Sequence, residues 1–137
     1  MKGTLFALIT LLSILILVCI NSVILDSLID QTITAVEKIE IKDTNEATER
    51  FKECYERFEK HEKYISLTVS HRDLTDIDEC FSHIIGAGLA NDVEEMIITK
   101  NRLTNSLEHL RRLSGINIDS ILFVRVHIGR ISSFPND

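Results

Sequence analysis

The pattern of apolar and polar positions divides the chain into one long apolar run followed by a series of amphipathic segments. From Gly3 to Leu25 no charged side chain interrupts the run. As a helix its 23 residues would measure about 34 Å, enough to cross a hydrocarbon core of about 30 Å with some tilt. Beyond it, Leu25, Leu28, Ile29, Ile33, Val36 and Ile39 keep a helical spacing, which predicts that the same helix continues to Glu40 as an amphipathic stalk. Such a stripe either serves the protein's own core or forms a seam for a partner. Asp43-Thr44-Asn45-Glu46 is a helix start, and Ala47, Phe51, Cys54/Tyr55, Phe58, Glu62 and Ile65 follow on one face. A break near Ser70–Asp73 precedes a third helix, with Asp73 as its expected cap and Leu74, Ile77, Cys80/Phe81, Ile84/Ile85 and Gly88/Leu89 as its inner stripe. Asn91-Asp92 opens a fourth, whose inner face is Val93, Met96/Ile97, Leu103, Leu107, Leu110 and Leu113 and whose expected stop is Gly115.

The end of the chain breaks the period. Alternation over Val124-Arg125-Val126-His127-Ile128 predicts a helical turn at 119–123 followed by an extended tail through Phe134-Pro135. The expected fold is therefore all-α: a transmembrane helix running into a stalk, then helical hairpins making about four helices outside the membrane. The expected organisation is an anchor over 1–25, a helical domain over 26–122 and a tail over 123–137.

Three other uses of an apolar N-terminus fit less well. A cleaved signal peptide needs a shorter apolar region and small residues at the cleavage site, whereas this run ends Cys19-Ile20-Asn21-Ser22-Val23. A lipoprotein needs a small residue before its cysteine, and Cys19 follows Val18. A prepilin needs a glutamate where Leu8 stands. The reading is an uncleaved signal-anchor. Lys2 on one flank and Asp26 and Asp30 on the other predict a cytoplasmic N-terminus and an extracytoplasmic domain in the cell membrane.

Charge changes the list of partners. The 112 residues after the apolar run, 26–137, carry 14 basic and 21 acidic side chains, a net −7 with histidine neutral. That balance repels nucleic acid and anionic lipid headgroups, so neither is an expected binding partner. The dense charge of the second helix (Glu49, Arg50, Lys52, Glu53, Glu56, Arg57) reads as a solvated face supported by pairs three or four apart.

Candidate chemistry centres on two histidines. If helices three and four form a hairpin turning near Asn91, then His71, Asp73, Asp76, Glu108 and His109 gather at one end. His71, Asp73 and His109 could hold zinc through nitrogen and oxygen donors, or the group could brace the break between helices as a polar cap. Their spacing matches no zinc motif, so His71, Asp73, Asp76 and His109 are read as a structural polar cluster, with no metal and no cofactor expected. Cys54 and Cys80 fall about 12 Å apart along a hairpin turning near His71, too far for a disulfide, and are expected as free buried thiols. The sequence holds no G-x-S-x-G, P-loop or H-E-x-x-H, so no catalytic residues are assigned and the protein is read as a non-enzyme. The expected role is an interaction domain held beside a membrane partner; the alternative is an extracytoplasmic ligand or metal sensor using His71 and His109.

The order Tyr64-Ile65-Ser66-Leu67, Ser70-His71-Arg72-Asp73-Leu74, Asp76-Ile77, Asn91-Asp92, Leu107–Leu110 and Asp119-Ser120-Ile121-Leu122, behind a single N-terminal span, resembles the short bacterial membrane proteins grouped as domain of unknown function 4363. Tyr64 stands where that family usually has Trp, and Asp119 where it usually has Asn. The resemblance implies an extracytoplasmic helical domain in endospore-forming Gram-positive bacteria, without an assigned activity. It also implies a second small membrane protein as partner.

Overall fold

In the computed structural model, which describes the backbone of residues 1–131 and the side chains of residues 1–114, the chain forms four helices. They are α1 (Lys2–Glu37), α2 (Thr44–Ile65), α3 (His71–Leu89) and α4 (Val93–Ile131). Among the described residues there is no strand. Packing runs round a square, α1 on α2, α2 on α3, α3 on α4 and α4 back on α1. Short connections make neighbours antiparallel, as in an up-down-up-down bundle.

The long first helix has two different surroundings. From Leu5 to Ile24 its large apolar side chains are exposed, Phe6 at 74% and Leu17 at 70%. From Leu25 onward one stripe is buried: Leu25, Ile29, Ile33 and Val36, with Ile39 just past the helix end. The stalk stripe thus closes on the protein's own bundle. Helix α1 is long and apolar enough to cross a membrane. Its C-terminal end is fastened to α4 by Lys100, whose Nζ donates to the carbonyls of Glu37 (3.0 Å) and Ile39 (2.6 Å). A cation there also meets the negative end of the helix dipole.

Helix α2 starts where the sequence indicates, the Asp43 carboxylate accepting from the backbone of Asn45 (2.8 Å) and Glu46 (3.3 Å). Its inner face holds Ala47, Phe51, Cys54, Phe58 and Ile65. Helix α3 starts earlier than expected, because Ser70 rather than Asp73 is its cap, accepting from Arg72 N at 3.3 Å. The α3–α4 turn takes three residues. Asn91 adopts a left-handed conformation (φ 61°). Its N–H bonds Gly88 O (3.1 Å), that of Asp92 bonds Ala87 O (2.9 Å), and the two carbonyls left at the end of α3 are satisfied. Asp92 then caps α4, its carboxylate accepting from Glu95 N at 3.0 Å.

The inner stripe of α4 is Met96, Leu103, Leu107, Leu110 and Ser114, a spacing that keeps one face toward α1 and α3. Four residues expected on inner stripes are exposed instead: Leu89 (73%), Val93, Ile97 and Leu113. Gly115 does not end the helix. Helix α4 continues to Ile131, so the extended segment expected over 123–131 is helical; residues 132–137 lie outside the described part. The alternation at 124–128 spans only five residues, too few to outweigh continuation of a helix already formed.

The two glycines of α3 differ in their surroundings. A Cβ at Gly86 would meet open space, whereas one at Gly88 would strike the Thr48 hydroxyl and lie 3.1 Å from Met96 Cε. Thr48, on the first turns of α2, is itself buried and donates to Thr44 O at 2.5 Å. Gly86→Ala should raise stability by up to about 1 kcal/mol through helix propensity. Gly88→Ala should lower it by about 1–3 kcal/mol through overpacking. Urea unfolding of the two variants checks the pair, and Thr48→Ala should restore part of the loss in Gly88→Ala.

Candidate functional site

Polar side chains gather in two places on the flanks of α3. On the α4 side, positions three or four apart place Asp73, Asp76, Cys80 and His83 along one edge. Helix α4 faces them with Thr99, Arg102, Ser106 and His109, leaving two adjoining depressions. The one nearer the start of α3 encloses about 440 Å³ and is lined by Asp73, Asp76, Asn101, Arg102, Asn105 and His109, among others. Asp76, Arg102 and Ser106 border both. At the other end, His83 Nδ1 lies 3.9 Å from Glu95 Oε1, an exposed pair that contributes little.

The hairpin turning at Asn91 therefore sets Asp73 level with His109, and these two share a depression with Asp76. His71 does not line it. Two residues before Asp73, it is turned by roughly 200° about the helix axis. Its charge instead acts on Asp78, two turns along α3. Among the described residues no three His, Cys, Asp or Glu side chains are placed to hold a metal ion together. His109, Asp73 and Asp76 make a charged recess open to solvent.

The second place lies between α2 and α3. The Tyr55 ring packs on Phe81 with centroids 5.1 Å apart, and Phe58 packs on the same ring at 6.0 Å. The Tyr55 hydroxyl reaches toward Asp78, whose Oδ1 is buried without a hydrogen-bond partner. Burial raises the Asp78 carboxyl above its usual range, and the charges of Glu62 and Glu59 raise it further. Tyr55 and His71 oppose the shift. Tyr55 is pushed up too, first by burial and then by Asp78, Glu59 and Glu62. Sequence reasoning passed over this group. Its signal was Tyr55, Glu59 and Glu62 on one face of α2 and His71 and Asp78 seven apart on α3, but no motif marks such a set.

Cys54 and Cys80 are free and buried. They also face different neighbours: Cys54 borders recesses with Ala35 and Thr32 of α1, whereas Cys80 borders one with Thr99 and Ser106 of α4. Burial pushes the Cys54 thiol up to about 11, against the pull of Arg57. Cys80 is also raised by burial, against Arg102 and a hydrogen bond with Ser106. Neither is a thiolate near neutral pH, so neither is an activated nucleophile.

The Asp78 carboxyl gives a pH signature. Its folded-state value lies above the unfolded one, so its contribution to stability is complete below the unfolded value, near pH 4, and is lost as pH rises through the folded value. Asp78→Asn removes the buried charge. Its melting temperature should exceed that of the parent at pH 7, and the difference should shrink below about pH 4. Thermal melts at both pH values check this; a variant less stable at pH 7 would contradict it.

Neither a family model, nor a curated protein, nor a solved structure matches this chain.

Proposed function

We propose that this is a single-span membrane protein that presents its four-helix bundle outside the cytoplasm as an interaction domain for a membrane partner. The observation that carries the reading is the change of environment within α1. Below Leu25 its large apolar side chains are left exposed; from Leu25 onward one stripe is sealed in the core. A water-exposed apolar surface of that extent asks for another solvent, and lipid is the one its length fits. Lys2 before the span and Asp26 and Asp30 after it favour a cytoplasmic start. Confinement to the membrane plane raises the effective concentration of the bundle near a partner in the same bilayer. Buried, protonated thiols and shallow, charged recesses support binding rather than covalent chemistry.

The meeting of Asp73, Asp76, Arg102 and His109 in one recess favours a second reading, an extracytoplasmic ligand or metal sensor.

The intact protein should stay with membranes after an alkaline carbonate wash. A variant lacking residues 2–20 should appear in the soluble fraction with its helical circular-dichroism signal retained, since its first buried side chain is Leu25. Protease added to right-side-out cells should cleave the bundle. Affinity purification from detergent-solubilised membranes should then recover a membrane protein. Stoichiometric zinc on the purified protein, lost in His109→Ala, together with no recovered partner, would favour the sensor.

A further inference from the structure

The end of the bundle nearest the apolar half of α1 differs in composition from the rest of the domain. Its height on α1 is fixed by two contacts: Asn21 Nδ2 donates to Thr68 Oγ1 at 3.1 Å, and Ser22 Oγ lies 3.5 Å from Ser114 O. The turn joining α2 to α3 thus sits where α1 leaves the bundle, at the level of Ser114 on α4, whose backbone runs on past it as helix to Ile131. On that turn Leu67 is 82% exposed, more than any other large apolar side chain after Leu25 among the described residues. Leu113 is 39% exposed on α4 at the same level.

Charge follows the same division. From Lys63 through Arg72 the chain carries no carboxylate, and from His109 through Gly115 it again carries none. The first stretch supplies Lys63 and Arg72, both exposed, with Tyr64 and Leu67 between them; the second supplies Arg111 and Arg112. Of these four cations Arg111 is paired, its guanidinium 3.0 Å from Asp30. In a domain of net −7 these two stretches are basic and apolar, with one exposed carboxylate, Asp26, a turn above Ser22 on α1. The turn at the other end of α3 is flanked by Asp92, Glu94 and Glu95.

We propose that this end of the bundle docks on the bilayer surface, with Leu67 inserted at the boundary between headgroups and acyl chains and Lys63, Arg72 and Arg112 facing anionic headgroups. The proposal rests on the reading of α1 as a span. Residues 2–20 below Asn21 cover about 28 Å as a helix, close to a hydrocarbon core of about 30 Å. The boundary then falls at Asn21, level with Thr68 and beside Leu67. An aromatic, an aliphatic and basic side chains together are what interfaces of anionic membranes take up. The overall acidity of the domain argues against headgroup binding only as an average; the turn facing the lipid has the opposite sign.

The protein contains no tryptophan, so a single introduced one reports its own surroundings. Leu67→Trp, Phe6→Trp and Leu89→Trp variants of the full chain would be reconstituted separately into vesicles of phosphatidylcholine and phosphatidylglycerol. Quenching would be read with lipids brominated on the upper acyl chain. The indole of Leu67→Trp should emit at shorter wavelength than that of Leu89→Trp and lose about half its intensity to bromines lying about 5–10 Å below the headgroup boundary. The probe in Leu89→Trp, beyond the far end of the bundle, should be unquenched, and the probe in Phe6→Trp should report the span. Adding Lys63→Glu and Arg72→Glu to the Leu67→Trp variant should weaken its quenching. An unquenched Leu67→Trp variant beside a quenched Phe6→Trp variant would overturn the docking and leave the anchor standing. An unquenched Phe6→Trp variant would overturn both.

Discussion

Everything in this molecule depends on one helix having two surroundings, its large apolar side chains exposed up to Ile24 and one stripe sealed in the core from Leu25. Residues 25–36 of α1 provide one of the four walls of the bundle core, and no glycine or proline separates them from the apolar residues below. The bundle therefore cannot assemble without the helix that also carries the span, and the span cannot be repositioned without moving the bundle. The other helices are arranged around this constraint. Lys100 ties the upper end of α1 to α4, and Asp30 with Arg111 ties its middle. Asn21 and Ser22 tie its lower part to the α2–α3 turn and to α4. The exposed pair contributes little energy, but Lys100 satisfies carbonyls that the end of a helix would otherwise leave to water.

Besides the Lys100 contacts, the far end of the bundle is held by close approach. A three-residue turn brings α3 back into α4, and Thr44 donates a hydrogen bond to the Asn91 side chain across from α2. Gly88 lets the first turns of α2 lie against the last turn of α3, with Thr48 and Met96 filling the space a side chain would take. The two ends thus have different characters. One is closely packed at Gly88, with Asp92, Glu94 and Glu95 beside it; at the other, Lys63, Arg72 and Arg112 stand exposed around Leu67. Both follow from an antiparallel arrangement that sorts the chain's turns alternately to opposite ends.

Much of the fold was legible because it rests on periodicity. The anchor, the stalk stripe and the starts of α2 and α4 follow from apolar spacing and from capping residues whose side chains reach their own backbone. The antiparallel register of α3 and α4 was legible too, since a hairpin centred on Asn91 brings Asp73 level with His109. What the sequence hid depends on rotation and on distant contacts. His71, two residues before Asp73, is turned away from the α4 side by roughly 200° about the helix axis, and so does not join the recess of Asp73 and His109. The Ser70 cap was passed over because Asp73 is an equally good capping type. Leu113 and Val93 look like core residues until the phase of the stripe is fixed by Met96, Leu103 and Leu107. Lys100, the fastening of α1, carries no local signal at all.

The unbroken course of α1 has a further consequence for how neighbours in a bilayer could approach. A helix without a hinge transmits azimuth. The buried direction of Leu25, Ile29 and Ile33, followed down the span at about 100° per residue, emerges through Val18, Ile14, Leu11 and Ala7. That side lies beneath the bundle and is roofed by it. The opposite side, along Leu5, Ile9, Leu12, Ile16 and Val23, faces away from the buried stripe. The orientation of the bundle thereby sets which sector of the apolar helix is turned away from it.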